Sequence, residues 1–375
     1  MGGPDRQIRI IDETLREGMQ FHGLVFSLEQ RIKILEFQEM LGVDICQAGY
    51  PPALDREAEI VRQTAAHARV NNMHIRTAAL GRALRQDAET LVDTCVDDPH
   101  FHFHLKEGTG RPGVDRALEG LCDLFASVKA QRPDARISLA MLDIGRTDPD
   151  LLSRRVEILE RCPHLSILSL PDTSGIMTPD QIRERITRLA GKVKRLRLAV
   201  HCHNDYGMAS ANTLTGILAG AGVMEASVLG IGERNGIADL YITAKRLRSQ
   251  GIKTGVDLDN IDGFRAYYTY VNSIVTEQTG LDLMDYRCPV FGAGVKTHVA
   301  GTHAGGRFGT VRDEHFYLNP LCGRQLVKKY LDRNSIPYQS GMLEKITETV
   351  KSGSMDAGRR LNRDDVLRII SGLGE

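Results

Sequence analysis

The chain has 375 residues, 42% hydrophobic and 26% charged, which suits an ordinary globular protein with a large buried core. Its 48 Lys and Arg balance 48 Asp and Glu, so no charge excess argues for nucleic acid or an anionic membrane as partner. No apolar run nears the roughly 18 residues of a membrane span and no secretory h-region opens the chain; seven scattered cysteines without a C-x-x-C predict reduced, mostly buried thiols of a cytoplasmic protein.

Along the chain, short apolar runs alternate with amphipathic stretches of roughly 12–20 residues. The predicted strands are Ile8–Leu15, Val43–Tyr50, His74–Leu80, His100–Leu105, Arg136–Leu142, Leu165–Leu170, Leu196–His203 and Glu225–Gly232. Ser27-Leu28-Glu29-Gln30 is a capping box before the helical run 31–41, and Thr178-Pro179-Asp180-Gln181 is another, with Pro at the first helical position. Eight strand–helix units in about 250 residues imply a parallel sheet closed into a (β/α)8 barrel, whose chemistry sits at the C-terminal strand ends. A doubly wound open sheet is the structural alternative.

Beyond residue 256 the alternation stops. Residues 259–280 read as helical, 288–320 are rich in Gly and His with little periodicity, and 321–372 return to helices. The expected division is a catalytic barrel over 1–256, a linker or lid subdomain over 257–320 and a mostly helical C-terminal subdomain over 321–375. A long irregular stretch carrying His298, His303 and His315 points to function.

The candidate chemistry starts at His201-Cys202-His203, entered from the apolar run 196–200. Two imidazoles at i and i+2 on a strand point to one side and can share a metal ion, although such a pair alone also fits packed or surface histidines. Glu17, in Leu15-Arg16-Glu17-Gly18 after the first strand, is the candidate third ligand; a plain surface ion pair is the other reading. One carboxylate and two imidazoles leave open positions, which suits Zn, Mn, Mg or Fe and the chelation of a small oxygen ligand such as a 2-oxo acid. Arg16 would set a fixed cation beside a developing oxyanion. Thr173, in Pro171-Asp172-Thr173-Ser174-Gly175, either donates to a substrate carboxylate or belongs to a turn before a capped helix. The loop Gly232-Glu233-Arg234-Asn235-Gly236 is either a charge-stapled turn or a source of backbone donors. Arg82, after the third strand, is either a carboxylate clamp or a solvated side chain. His102, His104 and Lys106 alternate on strand four; facing inward they would make a basic mouth for a polyanionic substrate, and facing outward they would mean little.

Together these pieces resemble the metal-dependent acyl-CoA condensing and lyase barrels that open with D-x-T-L-R-[DE]-G-x-Q, here Asp12-Glu13-Thr14-Leu15-Arg16-Glu17-Gly18-Met19-Gln20. Within them the chain looks most like the homocitrate synthases, with isopropylmalate and citramalate synthases close by. H-C-H-N-D-x-G-x-A-x-A-N at 201–212, P-D-T-x-G at 171–175, G-I-G-E-R-N-G at 230–236 and H-x-A-G-x-H at 298–303 carry that likeness in order along the chain. The resemblance implies a divalent metal (Zn, Mn or Mg) on Glu17, His201 and His203, with acetyl-CoA as co-substrate. It gives catalytic roles to Arg16, Thr173 and His303, the last reaching over from a partner subunit of a homodimer, with His315 as a stand-in for a missing tyrosine and Tyr317 beyond it. Substrate-binding candidates are Arg82, Gln20, Thr173, His104 and Gln47. The implied reaction is a Claisen-type condensation of acetyl-CoA with a 2-oxo acid, releasing CoA and a 2-hydroxy di- or tricarboxylate.

The sequence also departs from that pattern. Met19 and Gln47 stand where the relatives carry glutamates, Leu229 and Ile231 flank Gly230 where the isopropylmalate branch has a metal-shell Asn, and the strand-four Ser is replaced near Gly108. The metal chemistry therefore looks retained and the acceptor pocket altered. Arg82, His104 and Lys106 favour an acceptor with a second anionic group: 2-oxoglutarate, oxaloacetate or phosphonopyruvate. The competing readings are a carbon–carbon lyase of the hydroxymethylglutaryl-CoA type, whose Gly- and Cys-rich loop is missing here, and a metal-binding barrel without turnover.

Overall fold

The computed structural model describes residues 7–103, 111–299 and 315–373, the side chains of 111–115 excepted. Eight parallel strands close into a barrel in the order β1 to β8, each followed by a helix on the outside. The strands are β1 Arg9–Asp12, β2 Ile45–Gln47, β3 Arg76–Arg82, β4 Asp98–Phe103, β5 Ile137–Met141, β6 Leu165–Asp172, β7 Arg197–Cys202 and β8 Val223–Ala226. The helices after them are α1 Leu28–Met40, α2 Asp55–Val70, α3 Arg85–Thr94, α4 Arg111–Gln131, α5 Pro149–Glu160, α6 Pro179–Ala190, α7 Ala209–Leu218 and α8 Leu240–Ser249. Every predicted strand is present and closure replaces the open-sheet alternative. Both capping boxes form: Ser27 Oγ accepts from Gln30 N, Thr178 Oγ1 accepts from Gln181 N, and each glutamine reaches back to the cap.

The last strand differs most from its prediction. β8 ends at Ala226, and a 3-10 turn over Val228–Gly230 follows, with Leu229 at φ 58. The apolar run through Ile231 continues past the strand because these residues pack inside a turn.

A ninth helix, α9 Ile261–Thr279, belongs to the same compact unit, which extends to Leu283 rather than stopping at 256. Two neighbouring tyrosines tie it on. Tyr267 donates to Asp12 Oδ2 at 2.9 Å and Tyr268 donates to Asp239 Oδ1 at 3.0 Å. Asp12 is buried and Asp239 partly so, and the loss of solvation pushes both carboxyls up, Asp239 to about 6.

The second compact unit, residues 284–375, carries the two-residue parallel strands β9 Thr297–His298 and β10 His315–Phe316 and the helices α10 Arg324–Arg333, α11 Leu343–Ala357 and α12 Arg363–Leu373. Leu326, Val327, Leu331, Ile346, Val350 and Val366 centre its own core. None of the seven cysteines is in a disulfide, and four of them are buried. Among the described residues no helix is long and apolar enough to cross a membrane.

Candidate metal centre and active site

Inside the barrel the inward side chains form two layers. Ile11, Ile45, Ala78, Ile167, Ala199 and Val223 make a dry apolar layer. Two residues further along five of the same strands stand Glu13, Gln47, Ser169, His201 and Glu225, each at most 4% exposed. Above them a cavity of about 520 Å³ opens at the C-terminal strand ends, the end where this fold carries its chemistry.

The turn after β1 delivers one side of the site. Asp12 Oδ1 accepts from Thr14 N at 2.8 Å, starting the helical turn Thr14–Glu17 that lines the cavity with Glu13, Arg16 and Glu17. The backbone N–H of Glu233 donates to Glu17 Oε1 at 3.2 Å. Gly232 is required for that approach, since a Cβ there would stand 2.7 Å from Glu17 Cγ. The loop 232–236 thus supplies a backbone donor and is also stapled by charge: Arg234 grips Asp205 at 2.7 and 2.9 Å and donates to the Thr173 carbonyl at 2.6 Å.

Strand β7 delivers the other side. His201 Nε2 and His203 Nε2 face each other at 3.3 Å. Suitable donor atoms of Glu17, His201 and His203 all lie within 4.8 Å of one another, with all three residues buried. The opposite nitrogen of His201 faces carboxylates: Nδ1 is 2.9 Å from Glu13 Oε2 and 3.2 Å from Glu225 Oε2. Those oxygens can only accept, so Nδ1 keeps its proton and Nε2 is the nitrogen turned to the ligand set. This donor chemistry fits a divalent cation held by Glu17, His201 and His203.

The electrostatics have the same origin. Burial opposes charge on His201, but Glu13, with Glu225 and Glu17, more than offsets it and pushes the imidazole up to about 10. Burial, reinforced by the charge on His201, holds His203 down to about 4. Glu13 loses solvation, yet Arg16 and His201 hold its carboxyl well below the usual range. Arg16 donates to Glu13 Oε2 at 2.7 Å, to Gln20 Oε1 at 3.0 Å, and to Glu17 and Gln47 in short contacts.

Other sequence candidates fall into four groups. Thr173 and Gln20 line the cavity; Thr173 Oγ1 accepts from Asp143 N at 3.0 Å, which leaves its hydroxyl proton free to donate. His102 also lines it, so strand four carries histidine inward; it is 3.3 Å from the Tyr50 hydroxyl, and burial, followed by His100, holds it down to about 4. Two residues are off the wall. Arg82 is half exposed and bound twice by Asp87, at 2.8 and 2.9 Å, because the buried Asp87 carboxylate needs that cation. Gln47 lies behind the wall, between Arg16 and His100. His315 is exposed on β10 of the second unit. His104, Lys106 and His303 lie outside the described residues.

The sequence reading passed over Glu13, Glu225, His100 and Tyr50. The signal for Glu225 was present: a charge inside the apolar run Val223-Met224-Glu225-Ala226 has no place in a barrel strand unless a partner awaits it. His100 shares the inward face of His102 by simple alternation.

The HMGL-like family profile matches residues 7–266. A 2-isopropylmalate synthase of Sulfurisphaera tokodaii is 30% identical, over 80% of this chain and 76% of its own length. A 2-isopropylmalate synthase of Sulfolobus acidocaldarius is 28% identical over 97% of this chain and 95% of its own. A putative (R)-citramalate synthase of Archaeoglobus fulgidus is 26% identical over 97% of this chain and 75% of its own length. Among solved structures, the HMG-CoA lyase of Bacillus subtilis superposes with a TM-score of 0.62 at 19% identity, over 76% of this chain and 98% of that one. That likeness concerns the fold alone.

Proposed function

The chain belongs to the HMGL-like family, on the match over residues 7–266, and from that membership we propose that it condenses acetyl-CoA with a 2-oxo acid. The observation that carries the reading is the convergence of Glu17, His201 and His203, with the Nδ1 proton of His201 held by Glu13 and Glu225. A divalent cation (Zn, Mn or Mg) on that set would, when bound, polarise the ketone of the acceptor as a Lewis acid.

The chain's own groups do the rest. Arg16 faces the charge that develops on the ketone oxygen as the acetyl carbon attacks. Thr173 donates its free hydroxyl proton to the 2-oxo acid's carboxylate. His303, from a partner subunit of a homodimer, takes the methyl proton of acetyl-CoA, with His315 as the second candidate for proton transfer. Water then cleaves the thioester, releasing CoA and a 2-hydroxy acid. The acceptor carries a second oxygen-rich, anionic group, as 2-oxoglutarate, oxaloacetate and phosphonopyruvate do; His100, His102 and Tyr50 on the cavity wall support this.

Thiol release from acetyl-CoA, measured with metal across a panel of 2-oxo acids, tests the reading. Release with at least one acid is expected. Silence with all of them, together with cleavage of hydroxymethylglutaryl-CoA, would replace it with a lyase.

A further inference from the structure

On the inner wall of the barrel, Arg16, Gln47 and His100 form a series whose hydrogens follow from chemistry alone. The guanidinium Nε of Arg16 always carries a proton, so the Gln47 atom it meets is the carbonyl oxygen Oε1. Gln47 therefore turns its NH2 group toward His100 Nδ1, 3.1 Å away. An amide NH2 only donates. Nδ1 must hold a lone pair, and the ring proton of neutral His100 sits on Nε2. That Nε2 has no partner among the described residues, although His100 is 1% exposed and lines the cavity. A buried donor left unpaired opposes folding, so the arrangement calls for an acceptor that none of the described residues provides.

The identity of residue 47 sets this polarity. A glutamate there would also meet Arg16, but its other oxygen would accept from Nδ1–H and leave Nε2 with a lone pair. The two carboxylates facing His100, Glu13 and Glu225, make their contacts through Oε2, Glu13 with Arg16 and His201, Glu225 with His201 and the Ser169 hydroxyl at 2.8 Å. The Oε1 atom of each has no partner among the described residues, His100 Nε2 included.

We propose that Gln47 fixes His100 as a neutral Nε2–H donor that binds an oxygen carried by the acceptor acid beyond its 2-oxo acid group. His100 then touches substrate, and Gln47 is its positioning residue. The identity of the acceptor rests on the condensing reading above, whereas the tautomer does not.

Nitrogen-15 NMR of the zinc-loaded protein with labelled histidine tests both parts. The correlations of His100 should place its proton on Nε2, and the near-isosteric Gln47→Glu should move it to Nδ1. Two pairs of acids probe the contact: oxaloacetate with 2-oxobutanoate, and 2-oxoglutarate with 2-oxopentanoate, each pair differing by a terminal carboxylate against a methyl. A diacid should shift His100 Nε2 where its methyl partner does not. In steady state, Gln47→Glu should raise KM for the diacid about tenfold and leave KM for acetyl-CoA unchanged. A proton on Nδ1 in the unaltered protein, or equal shifts with both members of each pair, would overturn the proposal. If the NMR results hold while no acid releases thiol, the condensing reading falls and the donor assignment stands.

Discussion

The two inner layers of the barrel use the same strands for opposite ends. The lower one, Ile11, Ile45, Ala78, Ile167, Ala199 and Val223, removes apolar surface from water and leaves no polar atom to satisfy. Two residues on, Glu13, Gln47, Ser169, His201 and Glu225 are as deeply buried, yet Glu13 Oε1, Glu225 Oε1 and the neighbouring His100 Nε2 and His203 Nδ1 have no partner within the described chain. Burying such groups unpaired opposes folding, so the upper layer is retained for what it holds. The lower layer closes the barrel and the upper one spends stability on a site.

Breaking the upper layer, or the cavity lining that Glu17 and His203 add above it, should therefore cost function before structure. The largest effect is expected for Glu17→Gln and His203→Ala, which remove a cation ligand. Turnover should fall by about a thousandfold or more, the equivalent of the several kcal/mol a Lewis acid supplies, while the thermal midpoint holds or rises. Near-full metal-dependent activity in either variant would detach the cation from this set. Next come Glu225→Gln and Glu13→Gln, which leave the ligands in place but loosen His201; metal affinity, read by calorimetry, should drop about 10–100-fold.

The pH dependence of metal binding sharpens the same point. In the cation-free site His201 is held protonated up to about 10 by Glu13, Glu225 and Glu17. A metal must displace that proton, so affinity rises with pH, about tenfold per unit, until it levels off near 10. A flat profile between pH 7 and 9 would mean that His201 is not a ligand.

The smallest effect belongs to a residue outside both layers. Arg82 is committed to Asp87, so Arg82→Ala should lower the thermal midpoint only slightly and change KM for the acceptor less than twofold. A large, acceptor-specific rise in KM would show Arg82 swinging into the site.

What the sequence revealed follows from which signals are local. The eight strands, the two capping boxes and the pair His201 and His203 are written in periods of two and in fixed short spacings, and each was legible. The end of the barrel unit was less so. Nothing in the run 259–280 states that Tyr267 and Tyr268 reach back to Asp12 and Asp239, which places α9 with the barrel. Arg82 failed for a related reason: a lone cation near a rim reads as a clamp until Asp87, five residues on, is seen to neutralise it. Gln47 was visible only as a departure from relatives, because its role depends on Arg16 and His100, 31 and 53 residues away.

The proposed chemistry needs one carboxylate and two imidazoles from opposite ends of the barrel sequence to hold one cation. X-ray absorption at the zinc edge of the loaded protein tests it most directly, since Cys202 stands between the two histidines and offers the obvious rival ligand. Two imidazole nitrogens at about 2.0–2.1 Å, oxygen in the remaining positions and no sulfur are expected. A sulfur shell near about 2.3 Å, or fewer than two imidazoles, would contradict it.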